Sequence, residues 1–269
     1  MRLAPATRMA LRIASVVILA FIYLPIALIV LYSFNSSGVA SWPIPGLTLE
    51  WYARGIGDAG IRSALTASVE AAVGATVLAL ILGTLISFAV HRHRFFGRET
   101  LSFVVILPLA LPGIVTGIAL NAAIRTLGLE FGLFTIVVGH TTFCIVVVYN
   151  NVVARLRRLP RTAEEASMDL GADSFTTFRR ITFPAIRTAL IAGALLAFAL
   201  SFDEIIVTNF TSGSGIQTLP LWIFNNYSRP NQLPLVNVAA VFVLLLSIVP
   251  VYVAARLCSD TTGISGRRS

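Results

Sequence analysis

Lysine is absent from this 269-residue chain, and all twenty basic residues are arginine. Charged residues of either sign make up 12% of the sequence, about half the share of an ordinary soluble domain. So little charge cannot coat a water-facing globule when 57% of the residues are hydrophobic. That same hydrophobicity excludes disorder. Two cysteines, Cys144 and Cys258, are too few for a disulfide scaffold. Without lysine, no G-x-x-x-x-G-K-[ST] nucleotide-binding loop can be completed. Alternating segments punctuated by turns, the mark of a membrane barrel, are missing as well. Ser, His and Asp residues occur outside any catalytic motif, and no metal-ligand spacing is present. Mean hydropathy is +0.86. The expected fold class is all-α, a polytopic membrane protein.

A helix needs about 20 apolar residues to cross the hydrocarbon. Residues 13–34, 71–90, 101–124, 131–154 and 235–255 meet that length without a charge. Residues 188–210 form a sixth candidate, interrupted by Asp203 and Glu204; 188–202 alone is too short, and 205–210 completes it. The expectation is therefore six transmembrane helices. The first reads as a span rather than a cleaved signal peptide, because its apolar stretch is about twice the usual length. Six spans place sixteen of the twenty arginines on one side, leaving Arg54, Arg62, Arg125 and Arg229 on the other. Positive residues stay inside, so both termini are expected in the cytoplasm. The net charge of +8 thus marks sidedness, and no nucleic-acid partner is expected.

Seven of those arginines lie in or beside the loop 155–184, which has an internal order that a passive connector lacks. Pro160 ends the preceding helix, and Thr162 with Glu165 has the spacing of a capping box. A helical stretch, 163–170, stops at Gly171. Asp173 or Ser174 starts a second short helix, with Phe175, Phe178 and Ile181 on its apolar face. Pro184 closes the unit before the next span. A helix, a glycine corner and a second helix on a cytoplasmic face make a docking knob for another protein.

At these residues the chain resembles a known family. Glu165-Ala166-Ser167, three residues, Gly171, nine residues and Ile181-Thr182-Phe183-Pro184 are similar to the EAA loop of binding-protein-dependent ABC importer permeases. Ser167 stands where the family has alanine, and Phe183 where it has leucine. The resemblance extends over the core, 60–256, of a single permease domain spanning 1–269, and includes the proline-rich third span with Pro108 and Pro112, where kinks are expected. It implies a type I ABC importer permease fold, and a loop that works as a coupling helix in a groove of a separate ATPase. The coupling residues would be Glu165, Ala166, Ser167, Leu170, Gly171, Ile181 and Pro184. Glu165 would accept bonds from the partner, Ala166, Leu170 and Phe175 would fill its groove, and Gly171 would allow a corner that a Cβ would crowd. The chain itself would be a transport subunit and not an enzyme, with no cofactor of its own; ATP and Mg would sit on the partner. Two ATP-binding subunits, a second homologous permease chain, an external substrate-binding protein and membrane lipid are the implied partners. The bacterial inner membrane is the implied location.

Ionisable residues inside spans are costly and mark function. Glu70, Asp203 and Glu204 are the intramembrane acids, and no basic residue accompanies them. Helix rise places Glu70 and Asp203 each about 10 Å from an outer helix end, with Asp203 and Glu204 about 100° apart on one helix. One of these two would face cargo while the other meets a partner helix or an arginine. Acids without bases suit a cation and repel an oxyanion. His140 reads as a satisfied packing residue. The stretch 199–208 and the run Gln217-Thr218-Leu219-Pro220-Leu221-Trp222-Ile223 resemble the second-permease subfamily of spermidine/putrescine importers, which implies polyamine cargo. Trp222, Phe224 and Tyr227 read as belt or loop aromatics. Iron(III), thiamine or phosphonate cargo is the alternative within the family. Outside it, a secondary transporter would require inverted repeats, and a channel would require a filter. Neither is found in the sequence.

Overall fold

The computed structural model describes residues 5–39, 41–229 and 231–262, with side chains at 7–39, 41–229 and 231–248. Arg2, Arg267 and Arg268, counted above for sidedness, lie outside the described residues, as does the Arg256 side chain. The elements in chain order are α1 (Pro5–Ser33), α2 (Glu50–Gly57), α3 (Ala59–Arg92), α4 (Arg98–Ala110), α5 (Gly113–Thr126), α6 (Leu133–Leu156), α7 (Thr162–Asp169) and α8 (Ser174–Thr177). A π turn (Phe178–Thr182) follows, then α9 (Phe183–Phe202), α10 (Ile206–Thr211), α11 (Leu219–Asn226) and α12 (Leu233–Thr262). Among the described residues there is no strand, only an isolated bridge between Asn35 and Leu47. The all-α expectation holds.

Among the described residues, four stretches are long and apolar enough to cross a membrane: Thr7–Ser33, Ala59–Arg92, Leu133–Leu156 and Ser174–Phe202. The pair α4 and α5 would make a fifth, but it bends by 109°. In α12 the apolar section with described side chains is Leu233–Ile248, shorter than a span. Two sequence expectations change here. The third segment is not one kinked helix. Pro108 lies within α4 without ending it, whereas Leu111 takes an extended conformation before Pro112 and the chain turns. The residue before a proline is pushed out of the α region, which breaks the ladder at that point. The fifth span is likewise not 188–210. It begins at Ser174 and stops at Phe202, so Asp203 and Glu204 lie between helices instead of inside one.

The residues cluster into two compact units. One comprises the described residues up to Arg62 with Trp222–Leu245. In it Trp51 Nε1 donates to the Asn35 carbonyl (2.8 Å), and Ser33 Oγ and Tyr52 Oη lie 2.7 Å apart. Tyr52 packs between Phe34 and Phe242, tilted against the first and edge-on to the second, and Gly55 lets Val238 and Leu235 approach α2. Asp58 accepts from the Ile61 amide (2.8 Å) and so caps the start of α3. The apolar side chains of α1 remain uncovered along nearly its whole length.

The other unit comprises Ser63–Leu221 and the described residues from Leu246 on. Its centre is α6, where Cys144, Val148, Val152 and Leu156 are buried against α9 and the small face of α3, including Ala75 and Ala79. A Cβ at Gly83 would meet Val148 at 3.0 Å, and one at Gly193 would meet the Val148 backbone at 3.3 Å. Small residues at these crossings let backbones close in where lipid supplies no hydrophobic drive.

Candidate functional site

The loop 155–184 folds into a helix, a corner and a helix, as its glycine and capping residues predict. Gly171 has φ +87°, its amide donates to Met168 O (2.9 Å), and the Ala172 amide donates to Ser167 O (3.1 Å). This pair of bonds is a Schellman ending, and the left-handed residue it requires is normally glycine. One expectation is corrected: an added Cβ at Gly171 would meet nothing within 4 Å. Backbone conformation demands glycine here, not crowding. Asp173 starts α8 by accepting from the Thr176 amide (2.8 Å). The Thr176 hydroxyl and amide hold the Asp173 carboxyl below its ordinary value.

The capping box, by contrast, does not form. Thr162 is the first helical residue of α7, whose N-cap is Arg161 with no side-chain cap. Nor does Pro184 close the unit. It sits in the first turn of α9, and the helix runs without a break from Ser174 to Phe202. The preceding π turn makes this possible. The Phe183 amide reaches five residues back to Phe178 O, and the extra residue relieves the ring's clash with the preceding turn.

The exposed side of this unit presents Leu170, Phe175 and Met168, with Leu170 90% exposed, beside the exposed Glu165 and Ala166. Its other side is fastened down. Glu164 Oε1 pairs with Arg92 Nη2 at the end of α3 and accepts from Thr182 Oγ1 (2.7 Å). Arg155 Nε donates to Ala185 O (2.8 Å), and Phe178 meets Phe88 edge to face (5.7 Å). Ser167, the departure from the family's alanine, places its Oγ 3.0 Å from Thr177 Oγ1 and ties α7 to α8. Ile181 is half-buried. The sequence reading chose Glu165 and missed Glu164. The signal was available: Glu164 and Ser167, three apart, share the face of α7 that turns inward.

The second candidate region is the break between α9 and α10. Asp203 is exposed there, with no side-chain partner among the described residues. Glu204 is otherwise engaged: its Oε1 accepts from the Val207 amide (2.9 Å) and caps α10. Sequence reasoning did not foresee this capping bond, which occupies one of the two Glu204 carboxylate oxygens. Fully buried His140 on α6 closes the break, with Nδ1 2.7 Å from Ser201 Oγ on α9 and Nε2 2.8 Å from Thr208 Oγ1 on α10. Its reading as a satisfied packing residue holds, and its place across the break adds to it. At the far end of α10, Asn121 Nδ2 donates to Phe210 O (2.6 Å) and Thr135 Oγ1 to Thr211 O (2.7 Å). Glu70 is exposed on α3 and joined to neither Asp203 nor Glu204. Since α3 starts at Ala59, Glu70 lies about 16 Å along it rather than 10 Å. Among the described residues no cluster of His, Cys, Asp or Glu could hold a metal. Trp222 is buried on α11, while Phe224 and Tyr227 are exposed.

This bent, interrupted helical architecture is found in solved transporters. A bacterial ABC transporter involved in import of the acidic polysaccharide alginate aligns with a TM-score of 0.70 at 17% identity, over 97% of this chain and 99% of that one. The MetNI methionine ABC transporter aligns with a TM-score of 0.59, also at 17% identity, over 82% and 99%. In sequence, the chain is 38% identical over 232 residues to the putrescine transport system permease protein PotI of Escherichia coli K12, covering 83% of this chain and 82% of that protein. The spermidine/putrescine transport system permease protein PotC is 33% identical in Escherichia coli K12, over 91% and 92% of the two chains. The Haemophilus influenzae protein of that name is also 33% identical, over 86% and 90%. Residues 75–260 match the model of the binding-protein-dependent transport system inner membrane component, and the chain belongs to that family. It is an inner-membrane permease subunit of an ABC importer, a transport protein and not an enzyme, and such a permease implies ATPase and substrate-binding partners.

Proposed function

We propose that the chain forms half of the translocation path of an importer for polyamines, putrescine or spermidine, or a related organic cation. The observation that carries this reading is the match over most of the chain to permeases named for putrescine and spermidine/putrescine transport. Intramembrane acids without bases support it, because extended cations need carboxylates along their route. In this reading α12 supplies the sixth span and both termini are cytoplasmic, so the loop 155–184 faces two ATP-binding subunits that hold ATP and Mg. A second homologous permease completes the path, and the binding protein docks outside. Glu165, Ala166, Leu170 and Gly171 form the surface that meets the ATPase, with Ser167, Ile181 and Pro184 behind it. Asp203 and Glu70 are the acids left free for cargo, and Glu204 keeps the break in shape.

Uptake of labelled putrescine and spermidine by the reconstituted importer tests the cargo. Asp203→Asn should raise KM for the polyamine several-fold or more, while Glu204→Gln, whose amide oxygen still caps α10, should change it less. Import restricted to oxyanions or phosphonates would overturn the polyamine reading and leave the permease class standing.

A further inference from the structure

Where α3 ends, α4 starts and α6 ends, the chain leaves an open cleft of about 390 Å³ lined by Val90, Arg98, Glu99, Ser102 and Arg157. Its floor is built: Tyr149 Oη donates to Ser102 Oγ (3.1 Å), which donates to the Arg98 carbonyl (3.1 Å). Neither the Arg98 nor the Arg157 guanidinium is paired with a carboxylate among the described residues; the ion pairs there are Arg54–Glu50 and Arg92–Glu164. Two guanidinium groups on one cleft, with a single acid at its rim, make a site of positive potential. A second observation lies beside it. His91 is reached by the charges of Arg92, Arg98, Arg157 and Arg161, and its Nδ1 is shut off from solvent without a partner. Guanidinium groups without a carboxylate partner, and like charges held this close, are stabilised by an anion. The adjoining turn presents Phe95 and Phe96, and the Phe96 ring is fully exposed. A pair of exposed Phe rings is costly in water and is relieved by burial at the headgroup–acyl boundary.

We propose that this cleft binds the phosphodiester of an anionic phospholipid. Arg98 and Arg157 reach the phosphate oxygens with their planar forks, and Phe95 and Phe96 lie in the headgroup–acyl boundary. The phosphate chemistry is shared with free inorganic phosphate; the aromatic pair and the position at the end of three apolar helices favour the lipid. The assignment needs only that these helix ends lie at the membrane surface, so it is independent of the polyamine reading.

The test uses the purified importer containing the full chain. Native mass spectrometry would count phosphatidylglycerol retained, and thermal unfolding would be followed in phosphatidylcholine vesicles with and without phosphatidylglycerol. The double variant Arg98→Gln with Arg157→Gln should bind phosphatidylglycerol roughly ten- to thirty-fold more weakly and lose the stabilisation it confers. Arg98→Lys with Arg157→Lys, which keeps the charge, should retain much of both, and Arg229→Gln should change neither. Undiminished phosphatidylglycerol binding by the glutamine pair would overturn the proposal. So would equal stabilisation by inorganic phosphate, which would make the cleft a free-anion site. Loss of the ATPase subunits with lipid binding intact would overturn it too, and would make the cleft a protein interface.

Discussion

At Gly171 the chain turns through one left-handed residue with open space around it, and the side chains flanking the corner, Leu170 and Phe175, face outward. At Asp203 the turn is wrapped in side chains. His140 bridges both flanking helices, Glu204 caps the next one, and Asn121 and Thr135 hold its far end. One interruption rests on a backbone torsion and offers its surface to a partner. The other rests on hydrogen bonds and leaves one carboxylate uncommitted. A joint that receives force needs a bare, stiff knob, whereas an unwound segment among apolar helices must have its polar groups satisfied locally. The two should therefore fail differently when altered.

The largest effect is expected at the corner. Gly171→Asp should abolish uptake while membrane insertion, measured in the membrane fraction, stays intact; normal transport by this variant with its partners would break the coupling assignment. Gly171→Ala separates torsion from charge: it has space, costs about 1–2 kcal/mol for a left-handed alanine, and should keep partial uptake. At the break, His140→Ala removes two bonds and should lower stability by about 1–3 kcal/mol in thermal unfolding of the purified protein. It should also raise KM for cargo through the loosened Asp203 segment, an effect a remote packing residue would not produce.

A smaller effect is expected at the tether beneath the knob. Glu164→Arg or Arg92→Glu alone should uncouple ATP hydrolysis from uptake in part, and the two together should restore it; a double variant no better than either single one would refute the pairing. The smallest belongs to the Asp173 cap. Its folded pKa lies below the unfolded value, so its contribution is fully present above the ordinary carboxylate pKa of 3.8 and is lost as pH falls through the lower folded value. Hydrogen exchange at the Thr176 amide should therefore accelerate only on the acid side of that range. Asp173→Asn should keep the cap but remove most of this pH dependence.

The corner was legible because its signals are local: a glycine at a fixed distance from a small-residue helix, then an Asp that can cap. Apolar run lengths likewise gave most of the helices. The break was not legible, since a run count treats Asp203 and Glu204 as charges inside a helix. Their role depends on His140, more than sixty residues away, and on the amide of Val207. The bend within the third segment was half visible: Pro112 marks a kink, but the size of the turn, 109°, is not written in the composition. Glu164 escaped because its neighbour Glu165 carries the motif, while only the fold brings Arg92 and Thr182 to it. The π turn has no composition of its own; it is the backbone's answer to a proline inside a helix that packing keeps whole.

That unbroken run from Ser174 to Phe202 has a mechanical consequence. Its 29 residues extend about 43 Å from the corner to the edge of the break. A rod of this length converts angle into distance: tilting one end by about 5° displaces the other by about 4 Å. Phe175 and Asp203 thus stand at the handle and the tip of one lever.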